Sequence, residues 1–475
     1  MSPSEHSPIQ LTHAFRFLPN VQAAIVGAGG KTTSLIQLAQ ELRHPFQPLF
    51  VTTTTHLAKS QVNFASRHII LDPEQPLPIE LLQQDDIVLT GAWDDVTLRW
   101  QGISSRQLQA LSSYARRKGC PLLIEADGAR QLPLKAPAEN EPVIPPFVEA
   151  VIVVAGLKAL NQPLTPEWVH RAHLFSQLSG LKPGERISLQ ALASVLTHPQ
   201  GGCKGIPPDA RKICLLTHAD TLPIQAQITR LSQQLASAFD SCVFVKKETA
   251  PPPDLKAERI QNRLAALTDN LQPYTVLSVH EPVAGVVLAA GGSKRLGKPK
   301  QLLLWQGEAL VHRAARLALE ADLSPVIVVC GAESEQVKHA VSDLPVQVVE
   351  NPDWQSGQST SIRAALLNLP SNVGSAVFLL VDQPFVSLPL LRGLVDRHTR
   401  TLSSIVAPLV DGQRGNPVLF DRETFPDLLA LQGDVGGRAL FSRFSPDWLP
   451  WHDSRLLTDI DTPHDLTRFL ENNGD

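Results

Sequence analysis

The sequence predicts an α/β protein of two domains, each a mostly parallel sheet flanked by helices. Three observations carry this expectation. Short apolar, β-branched runs alternate with amphipathic stretches from end to end, the signature of βα units. With 475 residues the chain exceeds the length at which a single core keeps growing. A glycine-rich loop follows a buried-strand pattern once in each half, at "VQAAIVGAGGKTT" (21–33) and "GVVLAAGGSKRLGKPKQ" (285–301).

Strands are expected near 21–27, 48–53, 86–90, 121–126, 150–155, 212–217 and 242–246, and in a second series near 284–289, 325–330, 346–349, 376–381, 404–409 and 416–420. Between the series lies "ETAPPPDLKAERIQNRLAALTDNLQPYTVLSVHEP". Its triple proline ends regular structure, "LKAERIQNRLAAL" has helical periodicity, and "QPYTVLSVHEP" reads as a linker. The expected organisation is a first domain over 1–250, a linker over 251–280 and a second domain over 281–475.

Composition is that of an ordinary globular protein, with 43% hydrophobic and 19% charged residues. A net charge of −4 argues against nucleic acid or an anionic membrane as a partner, so anion sites must be local. Five scattered cysteines, with no C-x-x-C, fit a reducing cytoplasm and give no metal-site spacing. The N-terminus lacks a basic segment followed by an apolar one, and no apolar run approaches the roughly 18 residues that span a bilayer. A cytoplasmic location is expected.

Spacing sorts the readings of the 285–301 loop. A dinucleotide fingerprint needs G-x-G-x-x-G, but Gly291 and Gly292 are adjacent and Gly297 stands beyond four intervening residues. A P-loop needs G-x-x-x-x-G-K-[ST], and Gly292 to Lys298 supplies all but the last position, where Pro299 offers neither hydroxyl nor N–H. The remaining reading is a loop curled over a nucleoside triphosphate. In it, amides around Gly291 and Gly292 form an anion nest, and Arg295 and Lys300 reach phosphate oxygens. A basic surface turn would not need "VVLAA" running straight into it.

Downstream, "VVENPDWQSGQSTSIRAAL" (348–366) predicts strand, loop and a helix from about Ser359. Gly357 and Ser359 can meet a base or ribose, or Ser359 can simply cap the helix. "AVFLLVDQPFVS" (376–387) puts Asp382 at the carboxyl end of a strand, where open α/β sheets bind ligands. A carboxylate facing a triphosphate there suits magnesium; the alternative is a turn aspartate. "LLTDIDTPHDL" (456–466) offers Asp461 as a second ligand or as an ordinary helix start. "DGQRGNPVLF" (411–420) offers Arg414 and Gly415 for a close backbone approach to substrate.

These five stretches resemble, in order and spacing, the molybdenum cofactor nucleotidyltransferases, most closely the cytidylyltransferases, over about 281–475. The resemblance implies a Rossmann-like sheet and Mg²⁺-dependent transfer of CMP from CTP to the terminal phosphate of molybdopterin. It implies the triphosphate against Gly291, Arg295 and Lys300, base and ribose near Gly357 and Ser359, and magnesium on Asp382 and Asp461. "LAAG" at Leu288 to Gly291, where the guanylyl branch usually has "LAGG", favours CTP. Attack of one phosphate on another brings anions together, each unit pair near 4 Å costing about 4 kcal/mol at an effective dielectric of about 20. Magnesium, Lys300 and Arg295 would offset that cost, and an already ionised nucleophile needs no general base.

In the first half, "GAGGKTT" follows P-loop logic: amides of Gly29 and Gly30 and the Lys31 ammonium bind phosphates, and Thr32 reaches magnesium. One position departs, because the first glycine of the full motif would fall at Ile25. After "LLIEA", Asp127 would be a Walker-B-type carboxylate on magnesium. Glu125 is either a base or, preferred, a strand residue pointing outward. Thr54, Thr55 and His56 are candidates to line a nucleotide site, and "CLLTHAD" (214–220) places Thr217 and His218 where GTPases carry N-K. The base, ATP or GTP, therefore stays open.

"EADGARQLPLKAPAENEPVIP" (125–145), "VVAGLKALNQPL" and "VHRAHLF" resemble the YqeC-type accessory proteins of selenium-dependent molybdenum hydroxylases, over roughly 15–250. A P-loop-like NTPase sheet that assists cofactor modification or delivery to an apo molybdenum hydroxylase is expected. Two alternatives stand beside the whole reading: transfer to another phosphorylated small molecule, and a nucleotide-dependent cofactor chaperone or scaffold without turnover.

Overall fold

Every apolar run expected to be a strand forms one in the computed structural model, with ends within two residues of expectation. The structure describes residues 8–83, 85–128, 131–220, 227–248 and 273–472. The chain divides into two units, Met1–His280 and Glu281–Asp475.

The first unit is built on nine strands: β1 Gln22–Gly27, β2 Leu49–Thr53, β3 Arg67–Ile70, β4 Asp86–Thr90, β5 Leu122–Glu125, β6 Ala150–Gly156, β7 Arg211–Thr217, β8 Ser241–Lys247 and β9 Tyr274–His280. Their order across the sheet is β9-β8-β7-β6-β1-β5-β2-β4-β3. All pairings are parallel except the edge pair β8 with β9. The central strands are buried along their whole length, which is why they read as continuous apolar runs.

Strand β9 corrects the expected linker over 251–280. "YTVLSVH" pairs antiparallel with β8, and its period-two burial is that of an edge strand. The helical periodicity at 255–267 lies outside the described residues. Strand β3, "RHII", escaped notice because it is short and half polar.

The second unit carries β10 Val283–Ala289, β11 Val326–Cys330, β12 Gln347–Glu350, β13 Ser375–Leu380, β14 Ile405–Val410, β15 Gln413–Arg414, β16 Val418–Asp421 and β17 Asp447–Trp451. The order is β12-β11-β10-β13-β16-β14-β15, with β17 paired to β14. Strands β12, β11, β10 and β13 are mutually parallel, whereas β16 runs antiparallel to both neighbours. The strand sequence reverses between β10 and β13, so the loops leaving those two strands diverge and open a crevice at the carboxyl edge. The spacing of Leu310, Ala314, Leu317 and Ala318 predicts one helical face, and the helix Leu310–Glu320 buries Leu310, Leu317 and Ala318 while Ala314 is half-buried. Strand β17 was not expected, since Pro450 in "DWLPW" argues against a central strand; it lies at an edge.

Candidate functional site

In the second unit, β10 runs straight into the glycine loop. Ser293 and Gly297 take left-handed conformations, at φ 48° and 72°. The Ser293 carbonyl accepts from the amides of Leu296 and Gly297, and its Oγ accepts from the amide of Lys300 at 3.0 Å. This knot aims Lys300 inward. Gly292 is required by packing, because a Cβ there would sit 2.8 Å from the Trp354 ring, while Gly291 faces open space.

Lys300 Nζ lies between two carboxylates, bonded to Asp382 Oδ2 and to Asp461 Oδ1 at 3.0 Å. Burial pulls the ammonium pKa down, but the Asp382 and Asp461 charges outweigh that and leave it raised. Arg295 stands over the second carboxylate, 3.7 Å from Asp461 Oδ2. Sequence-distant segments meet here because the amide of Ile460, fully buried, donates to the Asp382 carbonyl at 3.0 Å. The extended D-I-D then presents Asp459 and Asp461 to either side of that anchor. Asp459 accepts from Gln383 Nε2 at 2.7 Å. Burial raises its carboxyl pKa, and the neighbouring Asp382 and Asp461 charges act in the same direction.

Asp459 was missed in the sequence, although the alternation in "TDIDTP" carried the signal. So was Arg438, which with Gln358, Asp382, Asn416 and Asp459 stands over the apolar floor, including Leu288 and Phe378, of an adjoining cleft of about 220 Å³. One oxygen of Asp382, Oδ1, is buried with no hydrogen-bond partner among the described residues. An orphaned carboxylate oxygen beside a second carboxylate fits a hard divalent cation.

Other expected contacts fall elsewhere. Ser359 is buried, and its hydroxyl donates to the Gly433 carbonyl at 2.7 Å. Gly357 takes φ 108°, and a Cβ there would crowd the Asp434 amide at 2.4 Å. Both residues thus clamp the 433–437 loop, which delivers Arg438 to the cleft. Gly415 packs against Pro408 and Leu456 and not against an open substrate face, while Arg414 is exposed; the neighbouring Asn416 enters the cleft.

In the first unit, the loop after β1 needs glycine at three positions, with φ of 97°, 84° and 146° at Gly27, Gly29 and Gly30. Lys31 opens the helix Lys31–Glu41 and folds back, its Nζ 2.7 Å from the Gly27 carbonyl and 2.8 Å from Asp127 Oδ1. The other Asp127 oxygen accepts from the Gly27 amide at 2.9 Å and from Lys135 Nζ at 2.8 Å. Lys135 continues to Glu141 at 3.0 Å, and Glu141 to Arg171 at 2.8 Å. Asp127 is therefore paired with two ammonium groups before any metal arrives, although its Oδ1, in ion-pair contact with Lys31, makes no hydrogen bond among the described residues. Thr32 Oγ accepts from Gln61 Nε2 at 2.7 Å, and the same amide donates to Glu125 Oε2 at 3.0 Å.

Glu125 does not point outward. Strand β5 is covered on both faces, as parallel strands are, so the side chain is buried. Desolvation pushes its pKa up to about 7, with the Asp127 charge adding and Lys31 opposing. The Thr54 hydroxyl donates to the Val143 carbonyl, and the Thr55 hydroxyl faces that of Thr53. Thr217 Oγ donates to the Gly29 carbonyl at 2.6 Å, which ties the "THAD" segment to the glycine loop. His56 lines a separate cleft, whereas His218 is half-buried with a lowered pKa from desolvation. Tyr274, in the expected linker, crowds Gly30: a Cβ there would meet its hydroxyl at 2.2 Å.

Comparison with known proteins separates the two halves. The family model described as YqeC protein matches residues 23–173, and that of the MobA-like NTP transferase domain matches 285–448. The "Uncharacterized protein YqeC" of Escherichia coli is 35% identical, over 40% of this chain and 73% of its own length. The "Nicotine blue oxidoreductase" of Paenarthrobacter nicotinovorans is 34% identical, over 40% of this chain and 96% of its own. The "Molybdenum cofactor cytidylyltransferase" of Escherichia coli is 23% identical, over 39% of this chain and 94% of its own. This chain thus joins a member of the YqeC family to a member of the MobA-like NTP transferase family, and its second unit is a nucleotidyltransferase.

Proposed function

We propose that the second unit transfers a cytidylyl group from CTP to the terminal phosphate of molybdopterin, releasing pyrophosphate. The observation that carries this reading is Lys300 held between Asp382 and Asp461 at the mouth of the glycine loop. Magnesium would be held by Asp382 and Asp461, where it would neutralise phosphate charge and favour departure of pyrophosphate. Lys300 is the exchangeable cation of the site. With a triphosphate present its ammonium turns from the carboxylates to phosphate oxygens, and exposed Arg295 swings in from Asp461. Arg438 and Asn416 then receive the acceptor in the cleft beside Asp382. "LAAG" at 288–291 favours cytosine.

The first unit, on this reading, binds ATP or GTP at Gly29, Gly30, Lys31 and Thr32, with Asp127 near the metal, and assists maturation of an apo molybdenum hydroxylase. It supports the reading that Lys31 and Asp127 meet at the carboxyl ends of adjacent strands. No helix among the described residues is long and apolar enough to cross a membrane.

The experiment is a pyrophosphate assay on purified chain with molybdopterin, comparing CTP with GTP. Release with CTP alone is the expected result; preference for GTP overturns the base assignment, and no release with either overturns the transfer. The name of the 34%-identical relative motivates a redox reading of the same fold. That reading predicts no pyrophosphate from any nucleotide, so one assay separates the two.

A further inference from the structure

We propose that the first unit holds a second, anionic ligand, a small organic phosphate, in a cleft distinct from its glycine loop. The cleft has a volume of about 1090 Å³ and is lined by His56, Arg99, Glu141, His170, Arg171 and His173, among others. None of residues 27–32 lines it. The inference does not depend on the reaction proposed for the second unit.

Charge makes the argument. Behind the cleft wall runs the ionic chain Lys31–Asp127–Lys135–Glu141–Arg171, three cations against two carboxylates. Lys135 and Asp127 are 3% and 2% exposed, so this surplus positive charge is felt through protein rather than water. Arg99 adds another cation to the lining and makes no ion pair among the described residues. The one carboxylate in the lining named above, Glu141, is already spent on Lys135 and Arg171. An anion entering here meets cations without a competing free acid.

Geometry narrows the class. Arg171 is held in a left-handed conformation, φ 61°, at the head of the helix Ala172–Ser179. Both side-chain hydrogen bonds of Arg171 among the described residues run through one nitrogen, to Glu141 and to the Ala136 carbonyl. The other guanidinium nitrogens remain to meet a ligand. Two arginines with the imidazoles of His56 and His173 give the many-donor, fork-shaped recognition that phosphate oxygens take better than a single carboxylate. The volume exceeds that of an isolated phosphate many times over, so the phosphate is one end of a larger molecule.

The test is hydrogen exchange on the full chain with inorganic pyrophosphate as probe, and malonate as the carboxylate control. Slowed exchange over 97–101 and 164–173 is expected with pyrophosphate, unchanged in Asp382→Ala and not reproduced by malonate. Calorimetry on the double variant Arg99→Ala, His173→Ala should show affinity at this site weakened at least about tenfold, with Arg99→Lys restoring part of it. The proposal is overturned by protection confined to 28–33 or 291–300, by equal protection with malonate, or by unchanged affinity in a folded double variant.

Discussion

Both units place a lysine and an aspartate where a glycine loop meets the carboxyl end of an adjacent strand, yet the two pairs are not equivalent. In the second unit Lys300 and Asp382 are 18% and 16% exposed, and Asp461 is 43% exposed. In the first, Lys31 and Asp127 are 5% and 2% exposed, and Lys135 shares the same carboxylate. An open pair can exchange its cation for metal and phosphate at small cost. A buried lattice must be dismantled first, so the nucleotide binding proposed for the first unit would require rearrangement of Asp127.

The comparison is broken most directly by removing the carboxylates. Asp127→Ala takes its ion-pair carboxylate from buried Lys31 and one of two from buried Lys135, and should cost the first unit about 3–5 kcal/mol, read as a lowered urea midpoint. Asp382→Ala leaves Lys300 still paired with Asp461, so stability should change by less than about 1 kcal/mol while pyrophosphate release falls about 10³-fold. Equal stability losses in both variants would erase the distinction.

A smaller effect sharpens it. Folded Glu125 keeps its proton up to about pH 7, against the ordinary value of 4.5. The folded state therefore holds more protons than the unfolded one between those values, and unfolding free energy should fall as pH rises through that window. The expected loss is about 1–3 kcal/mol between pH 4.5 and 8, and Glu125→Gln should abolish it. Urea unfolding at four pH values reads the slope; a wild-type slope matching that of Glu125→Gln would mean the carboxyl is not held neutral. Lys300 predicts no such loss over this range, since its raised pKa keeps it charged throughout.

What could be read from the sequence follows the physics of each feature. Parallel strands buried on both faces write themselves as contiguous apolar runs, so all of those expected appeared. Edge strands β3, β9 and β17 did not, because one-sided burial and flanking prolines imitate a loop. Lys300, Asp382 and Asp461 were legible because each follows its own strand or apolar run. Their neighbour Asp459 was not, and neither was Arg438, since its place in the cleft depends on a clamp between segments some 75 residues apart, Ser359 to Gly433 at |i−j| = 74. Whether a carboxylate is already neutralised is equally non-local: nothing in "EADGAR" says that Lys135 and Lys31 will share Asp127.

That clamp supplies the smallest effect. Ser359→Ala removes one neutral hydrogen bond, worth about 1 kcal/mol, and leaves the Gly433 carbonyl to backbone amides, among them the longer bond from that of residue 359, at 3.3 Å. If Ser359 acts by holding the 433–437 loop, the loosened Arg438 should raise the KM for the phosphorylated acceptor severalfold while leaving the KM for CTP unchanged. A ribose or base contact predicts the reverse, with the CTP constant alone rising. Steady-state kinetics with each substrate varied in turn therefore decide whether this serine belongs to the wall of the acceptor cleft or to the nucleotide, and with it how far the second unit's specificity is set by neutral packing in place of charge.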